Sequence, residues 1–249
     1  MSFKDWLFGG IEGSNVVRWG LGHILTLVGC ILAIVVIALL FKNKDKKVKK
    51  RVLNFLVLLI LFFEIARRVV NLIKTTDYSF LNILKILLPR PWCAISCWVL
   101  IFSALIKKKF LYNFASISAL LCAIIFFAWP GVGFKCPDFL FDDLYSVATH
   151  SLLLITSISL MTLGFTKFRY KKIWKVVLCF VLIFAYALAE IYFKIEDDPL
   201  YFMKGNDIHS FLGINYYLYL TIYFAFLILF INIFYLIQKA KDKKKKIIK

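Results

Sequence analysis

The sequence predicts an all-α polytopic membrane protein: a seven-helix transmembrane bundle with its N-terminus outside and its C-terminus in the cytoplasm. Three observations predict this class. Hydrophobic residues make up 62% of the 249 residues. They form runs close to the roughly 20 residues that cross a bilayer as a helix. Between these runs, Lys and Arg are concentrated in alternate connectors.

The predicted spans follow one another along a transmembrane domain that covers residues 19–237. The spans are 19–41, 52–73, 92–106, 110–129, 145–165, 173–193 and 211–237. The third run is short, so residues 83–91 either extend it or form a surface helix. Residues 1–18 lack the basic, apolar and small-residue regions of a cleaved signal peptide, so we expect an extracytoplasmic interfacial segment there. Residues 238–249 form a basic cytoplasmic tail.

Basic residues set the predicted orientation. Connectors 42–51, 107–109 and 166–172, together with the tail and Lys175, carry 22 Lys and Arg, whereas the opposite side carries eight. Basic connectors stay in the cytoplasm, which assigns a side to each terminus. We expect the plasma membrane as the location. The same clusters account for the formal net charge of +18, so no nucleic-acid partner is predicted.

The stretch 88–97 contains the candidate nucleophile, Cys93. Its sequence is Leu-Pro-Arg-Pro-Trp-Cys-Ala-Ile-Ser-Cys. Proline is favoured at the start of a helix and disfavours helix in the residue before it, so we expect a helix to begin near Cys93. The positive end of a helix dipole favours the thiolate form. Two alternatives stay open: Cys93 is an ordinary packing residue, or it forms a disulfide with Cys136, which would remove the nucleophile.

Three further polar residues are predicted to share a shallow membrane layer with Cys93. His23, His150 and Glu190 each fall within roughly 8 Å of the outer boundary, at a helical rise of about 1.5 Å per residue. A histidine beside a thiol can accept its proton and return one to a leaving group, as acyl transfer requires. The alternative for each histidine is a hydrogen bond to a neighbouring carbonyl or hydroxyl. No spacing here is typical of a metal site.

A charged cluster lies deeper, in the second predicted span. Glu64, Arg67 and Arg68 are spaced i, i+3 and i+4, so Glu64 shares a helix face with both arginines. An unpaired charge at that depth is costly, so such residues face the bundle interior and pair, or line a wet cavity. One interpretation is a structural ion pair. The other is an arginine clamp for a phosphate or carboxylate headgroup, which guanidinium groups bind bidentately.

Several short motifs resemble the YwaF-like bacterial membrane proteins, which are relatives of the eukaryotic transmembrane protein 164 group. These motifs are Gly-His-Ile-Leu-Thr at 22–26, Leu-Pro at 88–89 ahead of Cys93, and Thr-His-Ser-Leu-Leu at 149–153. Residues 201–205 resemble the late aromatic segment of that family. Two positions depart from its pattern: Pro91 stands where the family has a histidine, and Lys204 precedes glycine rather than proline.

The resemblance implies a multi-span helical fold. From the eukaryotic branch, it implies a cysteine-centred acyltransferase that moves fatty acyl chains onto lysophospholipids. Cys93 would be the nucleophile, and His150 and His23 its candidate partners. The leading hypothesis is therefore a lipid acyltransferase acting near the outer leaflet on phospholipids or lysophospholipids, without cofactor or metal. The predicted substrate-binding residues are Glu64, Arg67, Arg68, Trp92, Glu190, Tyr201 and Lys204.

Two hypotheses from other classes compete with the enzyme. A small-solute transporter, or the substrate-binding subunit of one, would use the charged cluster as its binding site. The absence of paired broken helices or an inverted repeat in the sequence counts mildly against a secondary transporter. In a non-catalytic membrane scaffold, the polar layer would only pack helices together.

Overall fold

A computed structural model describes Trp6 and Leu7, residues 20–128 and residues 140–247. The side chains of residues 207, 241 and 244–247 are not part of that description. Within these ranges the chain is helical and contains no strand. The all-helical class predicted from the sequence is therefore confirmed.

Nine helices, numbered here in chain order, occur in the described residues. They are α1 (Leu21–Phe41), α2 (Lys46–Lys74), α3 (Phe80–Leu87), α4 (Trp92–Ile106), α5 (Lys109–Ala128), α6 (Phe141–Thr162), α7 (Ile173–Tyr192), α8 (Asp207–Leu212) and α9 (Tyr216–Ile247). A 3₁₀ turn, Tyr170–Lys172, leads directly into α7.

Polar residues mark several of the helix starts. The side-chain oxygens of Asp45, Ser79 and Asn206 accept the backbone N–H three residues further on, at the starts of α2, α3 and α8. Such caps satisfy donors that the first turn of a helix leaves unpaired. The last predicted span, 211–237, is divided because Gly213 ends α8 in the left-handed region at φ 60°, so α9 begins at Tyr216.

Five helical stretches are long and apolar enough to cross a membrane. They are α1, α5, α6, the stretch Tyr170–Tyr192 that contains α7, and the part Tyr216–Ala240 of α9. Helices α3 and α4 add a sixth if they act as one broken span. The chain is thus a helical membrane protein. Helix α2 is not among these stretches, since basic residues crowd its start and Glu64, Arg67 and Arg68 lie in its interior. The seventh span and the direction of the termini stay predictions.

The short third span is explained by a break in the chain. Helices α3 and α4 are bent by 62° relative to each other. Leu88, which precedes Pro89, is extended at φ −72° and ψ 147°, the conformation that a following proline imposes. A second proline, Pro91, stands immediately before α4. Residues 83–91 are therefore not one continuous helix, because α3 ends at Leu87 and α4 begins at Trp92.

The chain divides into two compact units. The first comprises the described residues up to Pro89 and from Cys93 to Thr166. In it, α6 packs against α1, α2 and α5, and α2 contacts α3. Helix α5 is enclosed on every side from Tyr112 to Ala123. Helix α1 buries only His23 and Cys30 and leaves its other apolar side chains partly or fully exposed. The core of this unit therefore lies around α5, with α1 at its periphery.

The second unit comprises residues 90–92 and 167–249. The 3₁₀ turn contacts both α7 and α9. Between α7 and α8, the loop 193–206 carries its own network of hydrogen bonds. Three tyrosine hydroxyls from α9 donate to three consecutive carbonyl oxygens of the loop. The pairs are Tyr223 to Leu200 at 2.9 Å, Tyr219 to Tyr201, and Tyr216 to Phe202 at 3.3 Å. The loop is therefore tied to the start of the last helix.

Candidate functional site

The predicted site residues fall in both units. Six lie in the first unit: His23, Glu64, Arg67, Arg68, Cys93 and His150. Four lie in the second: Trp92, Glu190, Tyr201 and Lys204.

A fully buried carboxylate, Glu64, is the centre of the charged cluster. One of its oxygens, Oε2, accepts Nη1 of Arg68 at 2.6 Å, one turn further along α2. The other, Oε1, accepts the hydroxyl of Tyr145 from α6 at 2.7 Å. Both oxygens of this carboxylate therefore have charged or polar partners, as a buried charge requires. The local i, i+4 pairing predicted from the sequence is present.

Arg68 joins α2 to the end of α3. Its Nε donates to the carbonyl oxygen of Leu87 at 3.0 Å, and its guanidinium lies 5.2 Å from the ring centroid of Trp98. Leu87 is the last residue of α3, where backbone carbonyls lack partners within the helix. Arg68 thus neutralises Glu64 and caps α3 with the same guanidinium. The charge of Arg68 and its hydrogen bonds through Nε and Nη1 therefore stabilise the fold.

Arg67, the preceding residue, is differently placed. Its guanidinium lies 5.0 Å from the ring centroid of Tyr145. It interacts electrostatically with Tyr145, Glu64, Cys93 and Cys97. In the part of the chain that the structure describes, Arg67 makes no hydrogen bond or ion pair, and its buried Nε has no acceptor. A charged donor is therefore left open beside a thiol.

Cys93 is the second residue of α4, in the first turn that follows the proline break. It is half-buried and is a free thiol. The charges of Arg67 and Glu64 both act on its sulfur. The predicted nucleophile therefore lies within electrostatic range of the charged cluster. Its proposed disulfide partner, Cys136, lies outside the described residues.

Buried polar side chains connect α4 to α5. Ser96 Oγ lies 2.8 Å from Ser118 Oγ and 3.3 Å from Cys122 Sγ, and all three residues are buried. Hydroxyl contacts of this kind hold membrane helices together. Cys97, one turn after Cys93, is also fully buried. We interpret these groups as packing contacts of the first unit.

His150 is held by two neighbours. Its Nδ1 lies 2.7 Å from the carbonyl oxygen of Ser146, and its ring stacks on Phe126 with centroids 3.9 Å apart. Because a carbonyl can only accept, Nδ1 carries the hydrogen, and in the neutral imidazole Nε2 then keeps the lone pair. His150 can therefore act as a base through Nε2. Among the described residues it makes no hydrogen bond to Cys93.

His23 packs against the neighbouring phenylalanine. Its Nε2 lies 3.1 Å from the carbonyl oxygen of Phe127, in the last turn of α5, and its ring meets that of Phe127 edge-on at 5.7 Å. This bond ties a mostly apolar, peripheral helix to the core. The two histidines thus lie near the C-terminal end of α5, whereas Cys93 lies within electrostatic range of Arg67 and Glu64.

In the second unit, Glu190 lies near a surface ion pair. Glu190 is buried in the last turn of α7, where the charges of Glu196 and Arg90 act on its carboxyl group. Arg90 Nη1 forms an ion pair with Glu196 Oε2 at 3.2 Å. One positive charge therefore faces two carboxylates.

Trp92 is tied into the same unit. Its backbone N–H donates to the carbonyl oxygen of Pro199 at 2.9 Å, and its ring meets that of Phe180 edge-on at 6.4 Å. The first N–H groups of a helix have no partner within it, so Pro199 satisfies one of the orphan donors of α4.

Tyr201 and Lys204 belong to the loop 193–206. Tyr201 has φ 59°, which is uncommon for a residue with a side chain, and Lys204 is exposed. Asp198 organises this loop by accepting the N–H groups of Phe202 at 3.0 Å and Met203 at 2.9 Å. Burial raises the pKa of the Asp198 carboxyl, and these N–H groups oppose that shift in part. The part of Trp92, Glu190, Tyr201 and Lys204 in substrate binding stays a prediction.

Sequence reasoning did not single out Tyr145, Asp198 or the loop-binding tyrosines as site residues. Tyr145 lies 81 positions from its partner Glu64, and no local period connects residues so far apart. A tyrosine that reaches a buried carboxylate from another helix therefore has no signature in sequence spacing. No cluster of three or more His, Cys, Asp or Glu that could hold a metal occurs among the residues described.

The described helices define a helical membrane protein. Within it, the guanidinium of Arg67 keeps N–H donors without an acceptor in the described part of the chain and lies within electrostatic range of Cys93, a thiol in the first turn of a helix. Residues 18–237 match the TMEM164 family. The chain belongs to that family, so the resemblance drawn from its short motifs is confirmed. No curated protein and no solved structure matches the chain.

Proposed function

We propose that this protein is a cysteine-dependent acyltransferase that exchanges fatty acyl chains between phospholipids and lysophospholipids at the outer leaflet of the plasma membrane. One observation carries the proposal. Cys93 is a free thiol in the first turn of α4, at the positive end of the helix dipole, where the charges of Arg67 and Glu64 act on it with opposite sign.

The reaction takes two steps that share one intermediate. His150 accepts the thiol proton, and the sulfur of Cys93 attacks the ester carbonyl of the donor lipid. A C–S bond forms, the ester C–O bond breaks, and the leaving lysolipid oxygen takes the proton. The hydroxyl of the acceptor lysolipid then gives its proton to His150 and attacks the thioester. A new C–O bond forms, the C–S bond breaks, and the proton returns to sulfur.

The roles of the two histidines differ in this proposal. Nε2 of His150 is the base, because its Nδ1 hydrogen is directed to Ser146. The hydrogen bond to Cys93 forms when substrate binds, since catalytic contacts are often long before that point. His23 acts as an auxiliary that holds α1 against the end of α5 through the carbonyl of Phe127.

We also propose that α2 crosses the membrane as a seventh span, with the N-terminus outside. Pairing of Glu64 with Arg68 lowers the cost of placing their charges in the bilayer, and the basic connectors then share the cytoplasmic side. Protease treatment of intact cells should remove a tag from the N-terminus and leave a C-terminal tag intact. Removal of the C-terminal tag would contradict this orientation.

The decisive experiment compares two cysteine variants of the purified full-length protein in vesicles. Cys93→Ala should lower acyl exchange between a phospholipid and a labelled lysophospholipid by at least about 10³-fold, the scale of losing a nucleophile. Cys179→Ala, which replaces a half-buried thiol of α7, is the matched control. Lipid mass spectrometry that finds unchanged exchange in a folded Cys93→Ala protein rules out this mechanism.

A second function is favoured by the break between α3 and α4. Transporters often bind substrate where a broken helix presents its free N-terminus, and α3 and α4 are bent by 62° at such a break. A solute carrier would accumulate an anionic solute in vesicles, with a loss of uptake in Arg67→Gln and normal uptake in Cys93→Ala. A scaffold would tolerate both changes.

A further inference from the structure

The two adjacent arginines of α2 differ in how many of their donors are in use. A guanidinium has five N–H donors. Arg68 directs Nε to Leu87 and Nη1 to both the backbone and the carboxylate of Glu64, and only its Nη2 lacks an acceptor in the described part of the chain. Arg67 has no acceptor among the described residues. The open binding capacity is therefore concentrated on Arg67.

The positive charges of the cluster also exceed its negative charge. Glu64 carries one negative charge and has both oxygens engaged, by Arg68 and by Tyr145. The three charged residues of the cluster, Glu64, Arg67 and Arg68, therefore keep a net charge of +1. Within the described ranges, Glu64 is the acidic residue that acts electrostatically on Arg67, and it is already paired with Arg68. A net charge held in an apolar environment favours a counter-anion.

Tyr145 fixes where that anion would bind. Its hydroxyl holds Glu64 while its ring lies 5.0 Å from the guanidinium carbon of Arg67. A guanidinium held over a ring by a cation–π contact keeps its N–H groups available to an acceptor. The same guanidinium acts on the sulfur of Cys93. An anion bound at this edge therefore lies in the electrostatic neighbourhood of the thiol.

We propose that Arg67 binds the phosphate of a lipid headgroup through its open N–H edge, while Glu64, Arg68 and Tyr145 form the frame that orients it. The phosphodiester of a phospholipid is a monoanion and balances the +1 charge of the cluster. A guanidinium fork fits two phosphate oxygens. This inference rests on the proposed function for the choice of a lipid. Arg67 is a substrate-binding residue and Arg68 a positioning residue.

The test measures lipid binding by the full-length Cys93→Ser protein in detergent micelles. This variant has no thiol at residue 93, so it cannot form the thioester intermediate. Three probes are compared: lysophosphatidylcholine, monoacylglycerol of the same chain length, and inorganic phosphate. Arg67→Gln should weaken lysophosphatidylcholine binding about 10- to 100-fold, the range for hydrogen bonds to a charged group, and leave monoacylglycerol binding unchanged. Inorganic phosphate at millimolar concentration should not displace the lysolipid.

Arg67→Lys and Arg68→Lys form the matched pair. Arg67→Lys should lose most of the preference for the phosphate-bearing lipid, because the planar fork is lost. Arg68→Lys should keep that preference and show a lower melting temperature, because the bond to Leu87 is lost. Equal loss of the preference in a folded Arg68→Lys protein, or no loss in Arg67→Gln, overturns the assignment.

Two further outcomes separate the phosphate sources and the two proposals. Displacement of the lysolipid by inorganic phosphate in the Cys93→Ser protein, but not in Arg67→Gln, would refute the lipid source and identify a free-phosphate site. Because this test needs no catalysis, phosphate-selective binding can stand when acyl exchange fails. Active exchange with no role for Arg67 in binding would instead leave the acyltransferase intact and refute this inference.

Discussion

Replacing Tyr145 by Phe removes a single oxygen, the one that donates to Glu64 Oε1 at 2.7 Å. The ring that lies beneath Arg67 is kept, so the cation–π contact persists. A hydrogen bond to a charged group contributes about 1.5–3 kcal/mol, and a buried oxygen that loses its donor keeps the full cost of its lost hydration. We therefore expect Tyr145→Phe to lower the free energy of unfolding by about 1.5–3 kcal/mol.

A double-mutant cycle with Glu64→Gln checks the source of that loss. Reversible unfolding in mixed micelles gives the free energy of each variant. If the two side chains interact directly, the losses should fall short of additivity by about 0.5–3 kcal/mol. Tyr216→Phe is a control, because its hydroxyl binds a loop carbonyl of the second unit. Additive losses of Tyr145→Phe and Glu64→Gln would refute the reasoning.

Two further predictions concern residues outside the charged cluster. His23→Leu should lower the free energy of unfolding by about 1–3 kcal/mol, because the buried carbonyl of Phe127 loses its donor. Calorimetry measures this loss beside the control Thr26→Val, since the hydroxyl of Thr26 binds a carbonyl of its own helix. Equal stabilities of the two variants would contradict the prediction. Asp198→Asn should change the pH dependence of stability. The carboxyl has a raised pKa in the folded protein, so the folded state holds its proton more tightly, and stability falls as pH rises between the ordinary pKa and the folded one. Melting temperatures measured across the acid range should converge for the two proteins at the low end, and parallel curves would exclude this role for Asp198.

The local patterns of the sequence predicted a large part of this molecule. Apolar runs with basic connectors indicated a helical membrane protein, because the length that crosses a bilayer is a property of each segment. The proline pair before Trp92 indicated the start of α4. The pairing of Glu64 with Arg68 follows from one turn of helix, so it too could be predicted without coordinates.

Other features depend on contacts between distant segments. His23 and Phe127 are 104 positions apart, and Arg68 and Leu87 are 19 apart across a helix end. Sequence spacing placed His23, His150 and Cys93 in one layer by depth alone. Depth says nothing of direction around the helix axis, which decides that His150 stacks on Phe126 and that Cys93 comes within electrostatic range of Arg67.

The sequence by itself determined the class of this protein, the family to which it belongs and the start of the helix that bears Cys93, because composition, motif and proline chemistry are local properties. Only the tertiary structure decided which of two neighbouring arginines stays open. That choice depends on Tyr145 and Leu87, which reach the cluster from other helices. Their positions follow from packing, which no single stretch of the chain contains.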